Sequence, residues 1–94
     1  MGIKDDYEYL QTLDFAISEL NKQLQEVSRN VNKMFLDLEC KKAHINILNL
    51  KEKDYFEYKK LEQEYQSLLL YKQDILDRLH KLQEERIKFI LRSE

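Results

Sequence analysis

From Leu10 to Leu48 the apolar residues recur at alternating spacings of three and four. Such a seven-residue repeat keeps one apolar stripe facing a partner helix, because a period of about 3.5 residues matches the turn of a supercoiled helix. Lys41 alone interrupts the repeat. The pattern predicts a coiled-coil seam formed by Leu10, Leu13, Ile17, Leu20, Leu24, Val27, Val31, Met34, Leu38, Ile45 and Leu48.

The composition favours helix throughout the chain. The 94 residues include no proline and one glycine, and 36% of them are charged. Proteins built from β-strands need the turns that glycine and proline supply, so this composition predicts an all-α fold. A helical chain of this length is expected to form a single domain over residues 1–94, with little core volume for its surface.

A second apolar repeat follows the first and is one residue out of phase with it. The first seam is lost within residues 49–54, and the second extends from Tyr58 to Phe89. A change of phase of this kind indicates that a new helix begins. The members of the second stripe are Tyr58, Leu61, Tyr65, Leu68, Lys72, Ile75, Leu79, Leu82, Arg86 and Phe89, widened by Tyr55, Leu69, Leu76 and Ile90.

Two capping patterns mark the expected helix starts. Asp54 is followed three residues later by Glu57, and Asp5 by Glu8. In a capping box the first side chain accepts a hydrogen bond from a backbone N–H that the first helical turn leaves without a partner. The resulting prediction is helix one at about 5–50, a turn at about 50–53 and helix two at about 54–92.

The two stripes predict that the second helix folds back on the first as an antiparallel coiled-coil hairpin. In the expected register Leu38 lies opposite Tyr65, and most other layers are apolar as well. Lys41 falls in the layer of Glu62, where the two side chains are expected to form an ion pair.

The distribution of charge also favours the fold-back. Residues 1–26 carry six acidic and two basic side chains, and residues 78–92 carry five basic and two acidic ones. A hairpin places these oppositely charged segments side by side. The alternative is one continuous helix that dimerises in parallel, because the expected turn lacks glycine and proline and a coiled coil tolerates a small slip of phase.

Several large apolar residues lie off both stripes. Contiguous groups of this kind on a soluble chain usually mark a contact surface. Two occupants remain open, a second copy that completes a four-helix bundle and a different helical chain. The predicted partner-binding residues are Phe35, Leu36, Leu70 and Tyr71 near the middle and Phe15 and Leu91 at the open end, and Ile47, Leu50 and Phe56 gather similarly at the turn.

No group of residues stands out as a reaction centre. Cys40 and His44 share a helix face and could supply half of a zinc site, but two further ligands are missing. Paired carboxylates such as those of Glu84 and Glu85 need a pocket that shifts their pKa values before they act as acid and base. A narrow hairpin offers no such pocket, so we expect no enzyme activity, no metal and no cofactor.

The expected partners are proteins rather than nucleic acid or membrane. The lysines near the turn alternate with acidic residues, and a formal net charge of -2 gives a phosphate backbone little to bind. No apolar run approaches the roughly 20 residues of a membrane span. A single cysteine fits a reducing compartment, so an intracellular location, in cytoplasm or nucleus, is expected.

These observations predict a non-catalytic structural or interaction subunit of a homo- or hetero-oligomeric coiled-coil assembly. The alternative is a small helical-hairpin chaperone or adaptor that holds a client at the open end, where Tyr7, Tyr9, Phe15 and Phe89 lie. The architecture resembles helical-hairpin subunits such as prefoldin-type chaperones and small coiled-coil subunits of tethering assemblies. That resemblance concerns shape and implies no site residues.

Overall fold

The computed structural model describes the backbone of residues 3–48 and 52–93 and the side chains of residues 5–45 and 54–92. Every described residue is helical: α1 spans Ile3–Leu48 and α2 spans Glu52–Ser93. Most of the expected turn, and the side chains of Ile47 and Leu50, lie outside the described residues. Helix α2 begins slightly before the expected Asp54.

Both helices carry favourable charges at the described ends. Asp5 and Asp6 lie in the first turn of α1, and Arg92 lies in the last turn of α2. Acidic side chains near a helix N-terminus and basic ones near a C-terminus interact favourably with the helix dipole. Neither helix contains proline, so no backbone hydrogen bond is lost along its length for that reason.

The chain forms two compact units. The first contains Met1–Gln25 and Gln73–Glu94, and the second contains Glu26–Lys72. Each unit therefore combines a segment of α1 with a segment of α2.

In the first unit the two helices pack in antiparallel orientation. The ring centroids of Tyr9 and Phe89 are 4.8 Å apart, and Arg86 Nε donates a hydrogen bond of 2.6 Å to Asp14 Oδ1. Positions that advance along α1 thus meet positions that retreat along α2. This pairing confirms the fold-back and excludes one continuous helix.

In the second unit α1 and α2 are also packed against each other. The ring centroids of Phe35 and Tyr65 lie 6.3 Å apart. The predicted fold class, all-α with two long antiparallel helices in contact, is therefore confirmed.

The buried side chains all belong to the predicted seam stripes. None of the buried residues among the described side chains is polar or charged. The apolar repeat therefore identified the core correctly. The core of the first unit contains Leu13, Ile75 and Leu79, and that of the second contains Val27, Val31 and Leu38.

The register differs from the expected one. Tyr65 contacts Phe35 and Arg86 contacts Asp14. The α1 residues that meet α2 thus lie about one helical turn closer to the N-terminus than the pairing of Leu38 with Tyr65 required. The expected register is wrong by about one turn.

The expected ion pair between Lys41 and Glu62 is wrong for the same reason. The Glu62 carboxylate lies 3.6 Å from the Nζ of Lys59, one turn away on its own helix. The shifted register brings Lys41 opposite Tyr58 instead, and the Lys41 side chain is exposed.

We predict that Ile75→Ala lowers the free energy of unfolding by about 2–4 kcal/mol, because Ile75 is 2% exposed and its removal leaves a cavity in the seam. Ile87→Ala is the matched control, since Ile87 lies in the same helix and unit but is 58% exposed. Its effect is expected to stay within about 0.5 kcal/mol. Urea unfolding followed by circular dichroism measures both, and equal losses would contradict the core assignment.

We also predict that Asp14 and Arg86 are coupled across the helices by about 0.5–1 kcal/mol, since both side chains remain partly exposed. A double-mutant cycle with alanine at both positions measures the coupling as a free energy of unfolding. Asp74 and Arg78, paired at 3.1 Å within α2, provide the control cycle, with an expected coupling of about 0.3–0.5 kcal/mol. Zero coupling between Asp14 and Arg86 would contradict the register.

Candidate functional site

Heptad positions define the sides of the seam in the second unit. Val31 and Tyr65 occupy position a, and Met34 and Leu68 occupy position d. Position f points directly away from the partner helix, and positions e and g flank the seam on opposite sides. Because the helices are antiparallel, the e positions of both helices share one side and the g positions share the other. The contact of Phe35, at e, with Tyr65 fits this assignment.

The four predicted partner-binding residues near the middle are all exposed in the second unit. Their exposed fractions range from 47% for Phe35 to 72% for Leu70. Phe35 occupies position e, Leu36 and Leu70 occupy f, and Tyr71 occupies g. The heptad therefore divides them, with Phe35 and Tyr71 on opposite sides of the seam.

One side of the second unit is considerably more apolar than the other. We call it the Phe35 face and define it by the e residues Phe35, Tyr55 and Leu69, together with the f residues Leu36, Phe56 and Leu70 that follow each of them in the chain. Leu69 is half-buried and the other five are exposed. The same side also carries the polar e residues Ser28, Lys42 and Glu62. On the opposite side the g residues are exposed, and Tyr71 is their only apolar member within the described range: Asn30, Asp37, His44, Glu57, Glu64 and Tyr71.

An ion pair between Lys59 and Glu62 lies on the Phe35 face, and its two charges cancel. Lys59 Nζ lies 3.6 Å from Glu62 Oε1 and 5.5 Å from the centroid of the Tyr55 ring. The Glu62 carboxylate, followed by Tyr55, raises the pKa of Lys59. Burial, followed by a hydrogen bond to Glu62, raises the pKa of Tyr58. Lysine and tyrosine side chains are protonated at neutral pH at their ordinary pKa values, and both shifts move deprotonation further above neutral pH.

In the first unit, the predicted partner-binding residues Phe15 and Leu91 are also exposed, at 68% and 64%. Both occupy position f, so each points away from the helix that its own helix packs against. Ile87 is exposed nearby in the same helix as Leu91.

The open end of the first unit contains a pocket of about 310 Å³. Tyr9 and Phe89 contribute its aromatic wall, and their rings contact each other. The charged lining includes Asp5, Asp6, Lys88 and Arg92. A mixed-charge pocket of this kind can hold a small polar or aromatic group, but a substantial part of its aromatic surface is already used within the chain.

Cys40 and His44, the two possible zinc ligands in the sequence, lie one helical turn apart in α1 and are joined by a hydrogen bond. His44 Nδ1 donates a hydrogen bond of 2.8 Å to the backbone carbonyl of Cys40, and the Cys40 thiol is exposed. Within the described residues, no cluster of three or more His, Cys, Asp or Glu side chains is arranged to hold a metal ion. Neither helix, over its described length, has an apolar stretch that could cross a membrane.

No protein-family model matches this chain, and comparison with curated proteins and with solved structures finds no significant similarity.

Proposed function

We propose that this protein is a non-catalytic structural subunit of an oligomeric coiled-coil assembly, in which another helical chain, identical or different, covers its exposed apolar residues. The observation that carries the proposal is the exposure of Phe35, Leu36, Leu70 and Tyr71 on helices whose seam is already filled. Phe15 and Leu91 extend the same property to the first unit.

The geometry of a helix pair explains why such residues need a partner. Two helices bury only the stripe between them, and a side chain at position f cannot reach that stripe. Monomeric soluble proteins rarely expose large apolar patches unless the patch is a binding site. At about 25 cal/mol per Å², burial of four such side chains would contribute several kcal/mol before the ordering of both chains is subtracted.

The size of the core supports the same conclusion. In each unit the buried side chains form a single narrow row along the seam. A small domain with a narrow core has little stability to spare, since folding free energies are a small difference between large terms. A partner that binds only the folded chain would add stability by mass action.

We expect Leu36→Glu and Leu70→Glu to abolish stoichiometric association, because each places a carboxylate in a surface that association would make dry. His44→Glu is the matched control: it introduces the same carboxylate at an exposed position of the second unit that is already polar, on the side of the seam opposite the Phe35 face. The measurement is affinity purification of the tagged chain from native extract, with mass spectrometry and light scattering of the eluate.

The expected result is a stoichiometric complex, with itself or with another chain, for the wild-type protein and His44→Glu. Recovery of the wild-type chain as a well-folded monomer of 11.5 kDa without a stoichiometric partner would refute the proposal.

A second candidate function, a small helical-hairpin chaperone or adaptor, is favoured by the exposed aromatic residues of the first unit. Tyr7 and Phe15 are more than half exposed. The contact between Tyr9 and Phe89 weakens this candidate, because rings that pack on each other offer less surface to a client.

For the chaperone function we expect Tyr7→Ser combined with Phe15→Ser to abolish suppression of the aggregation of a heat-denatured test protein, measured by light scattering. Removal of apolar contact surface is the physical reason. Thr12→Ser, a polar change in the same segment, is the control. Unchanged suppression by the double variant would remove this candidate.

A further inference from the structure

We infer that a second copy of this chain covers the Phe35 face, related to the first by a twofold axis that passes close to Phe35 at right angles to the helices. The inference rests on the proposed function, because it names the partner for one part of the proposed surface. Its support is the self-complementary arrangement of apolar residues in the second unit.

The first part of the pattern lies on α2. Tyr55, Glu62 and Leu69 follow one another at successive e positions, so an apolar, a polar and an apolar side chain lie in a row. The order apolar, polar, apolar is the same when it is read in either direction along the helix. Two α2 helices packed antiparallel through this row would place Tyr55 of each against Leu69 of the other.

The second part of the pattern lies on α1, where the order of polarity is the opposite. Successive e positions are Ser28, Phe35 and Lys42, a polar, an apolar and a polar side chain. The contact with Tyr65 places Phe35 within about one helical turn of the level of Glu62, beside the polar gap in the α2 row. Tyr55 and Leu69 lie on either side of Glu62 at equal separations in the chain, so the three apolar residues are approximately symmetric about the level of Glu62.

A twofold axis through that level satisfies all three residues together. The axis lies in the interface, perpendicular to the helices, so each helix packs antiparallel on its own copy. Phe35 meets the partner subunit's Phe35, and Tyr55 meets the partner subunit's Leu69. The f residues at the outer edges of the face follow the same symmetry. Phe56 lies at the level of the partner subunit's Leu70, and Leu36 lies at the level of the axis. An isologous contact requires this kind of self-complementarity.

The area and the charge of the face are suitable for a dimer. At on the order of 100 Å² for each large side chain, the six residues would bury about 600 Å² per copy and about 1,200 Å² in total, at the lower limit of a specific interface. Glu62 lies closest to its own copy on the axis. It is paired with Lys59 in each subunit, so the two copies meet there without net charge.

The first test compares Tyr55→Glu with His44→Glu in the full chain. Both residues are exposed in the second unit, but they flank the seam on opposite sides, at positions e and g. Tyr55→Glu is expected to raise the dimer dissociation constant about tenfold or more, whereas His44→Glu leaves it unchanged. Light scattering coupled to size exclusion gives the mass, and circular dichroism verifies that both variants remain helical.

The second test fixes the position of the axis. In a Cys40→Ser background, Phe35→Cys is expected to crosslink to its own copy with a short cysteine-reactive reagent, because both cysteines lie near the axis. Asp37→Cys, on the opposite side of the same helix, is the control and is expected to remain monomeric on a denaturing gel.

The outcomes separate this inference from the proposed function. A dimer that Tyr55→Glu weakens and Phe35→Cys crosslinks supports the inference. A wild-type chain that is monomeric alone but binds a different protein through Leu36 or Leu70 overturns the second copy and leaves the proposed function intact. A monomer without any partner overturns both, and a dimer equally weakened by His44→Glu overturns the assigned face.

Discussion

The packing of one apolar stripe from α1 against one from α2 is the interaction on which the rest of the structure depends. Each stripe is narrow, because a heptad presents only its a and d residues to the partner helix. In each unit the buried residues lie in this single row. Among the described side chains the helices have no second layer of core, and large apolar residues outside the row, such as Leu36 and Leu70, are exposed.

The seam also contains charged residues, and they influence how the helices align. Arg86 occupies heptad position a but remains partly exposed, and its Nε reaches Asp14 at the flank of the other helix. Phe35 and Tyr65 occupy the same pair of heptad positions in the second unit, but with two aromatic rings. A polar contact in one unit and an aromatic contact in the other thus agree on one register. Such polar residues at seam positions are a common means of fixing alignment in coiled coils.

The antiparallel alignment has a consequence for the surface. It places the e positions of both helices on one side, where Phe35, Tyr55 and Leu69 lie, and the g positions on the other, where Asp37 and Glu64 lie. In a parallel pair the e positions of one helix would lie beside the g positions of the other, and apolar and polar residues would mix on both sides. The amphipathic character of the second unit therefore follows from chain direction as much as from composition, and the proposed partner surface follows from it.

The sequence by itself determined the helical class, the approximate helix bounds and the identity of the core, because a seven-residue apolar repeat permits one buried stripe per helix. It also identified Phe35, Leu36, Leu70, Tyr71, Phe15 and Leu91 as apolar residues outside that stripe, and these are exposed. Only the tertiary structure decided the register and the side of the seam on which each residue lies. Neighbouring registers differ by one helical turn and bury similar apolar stripes, so the repeat alone does not separate them. Contacts between particular side chains, such as Arg86 with Asp14, do.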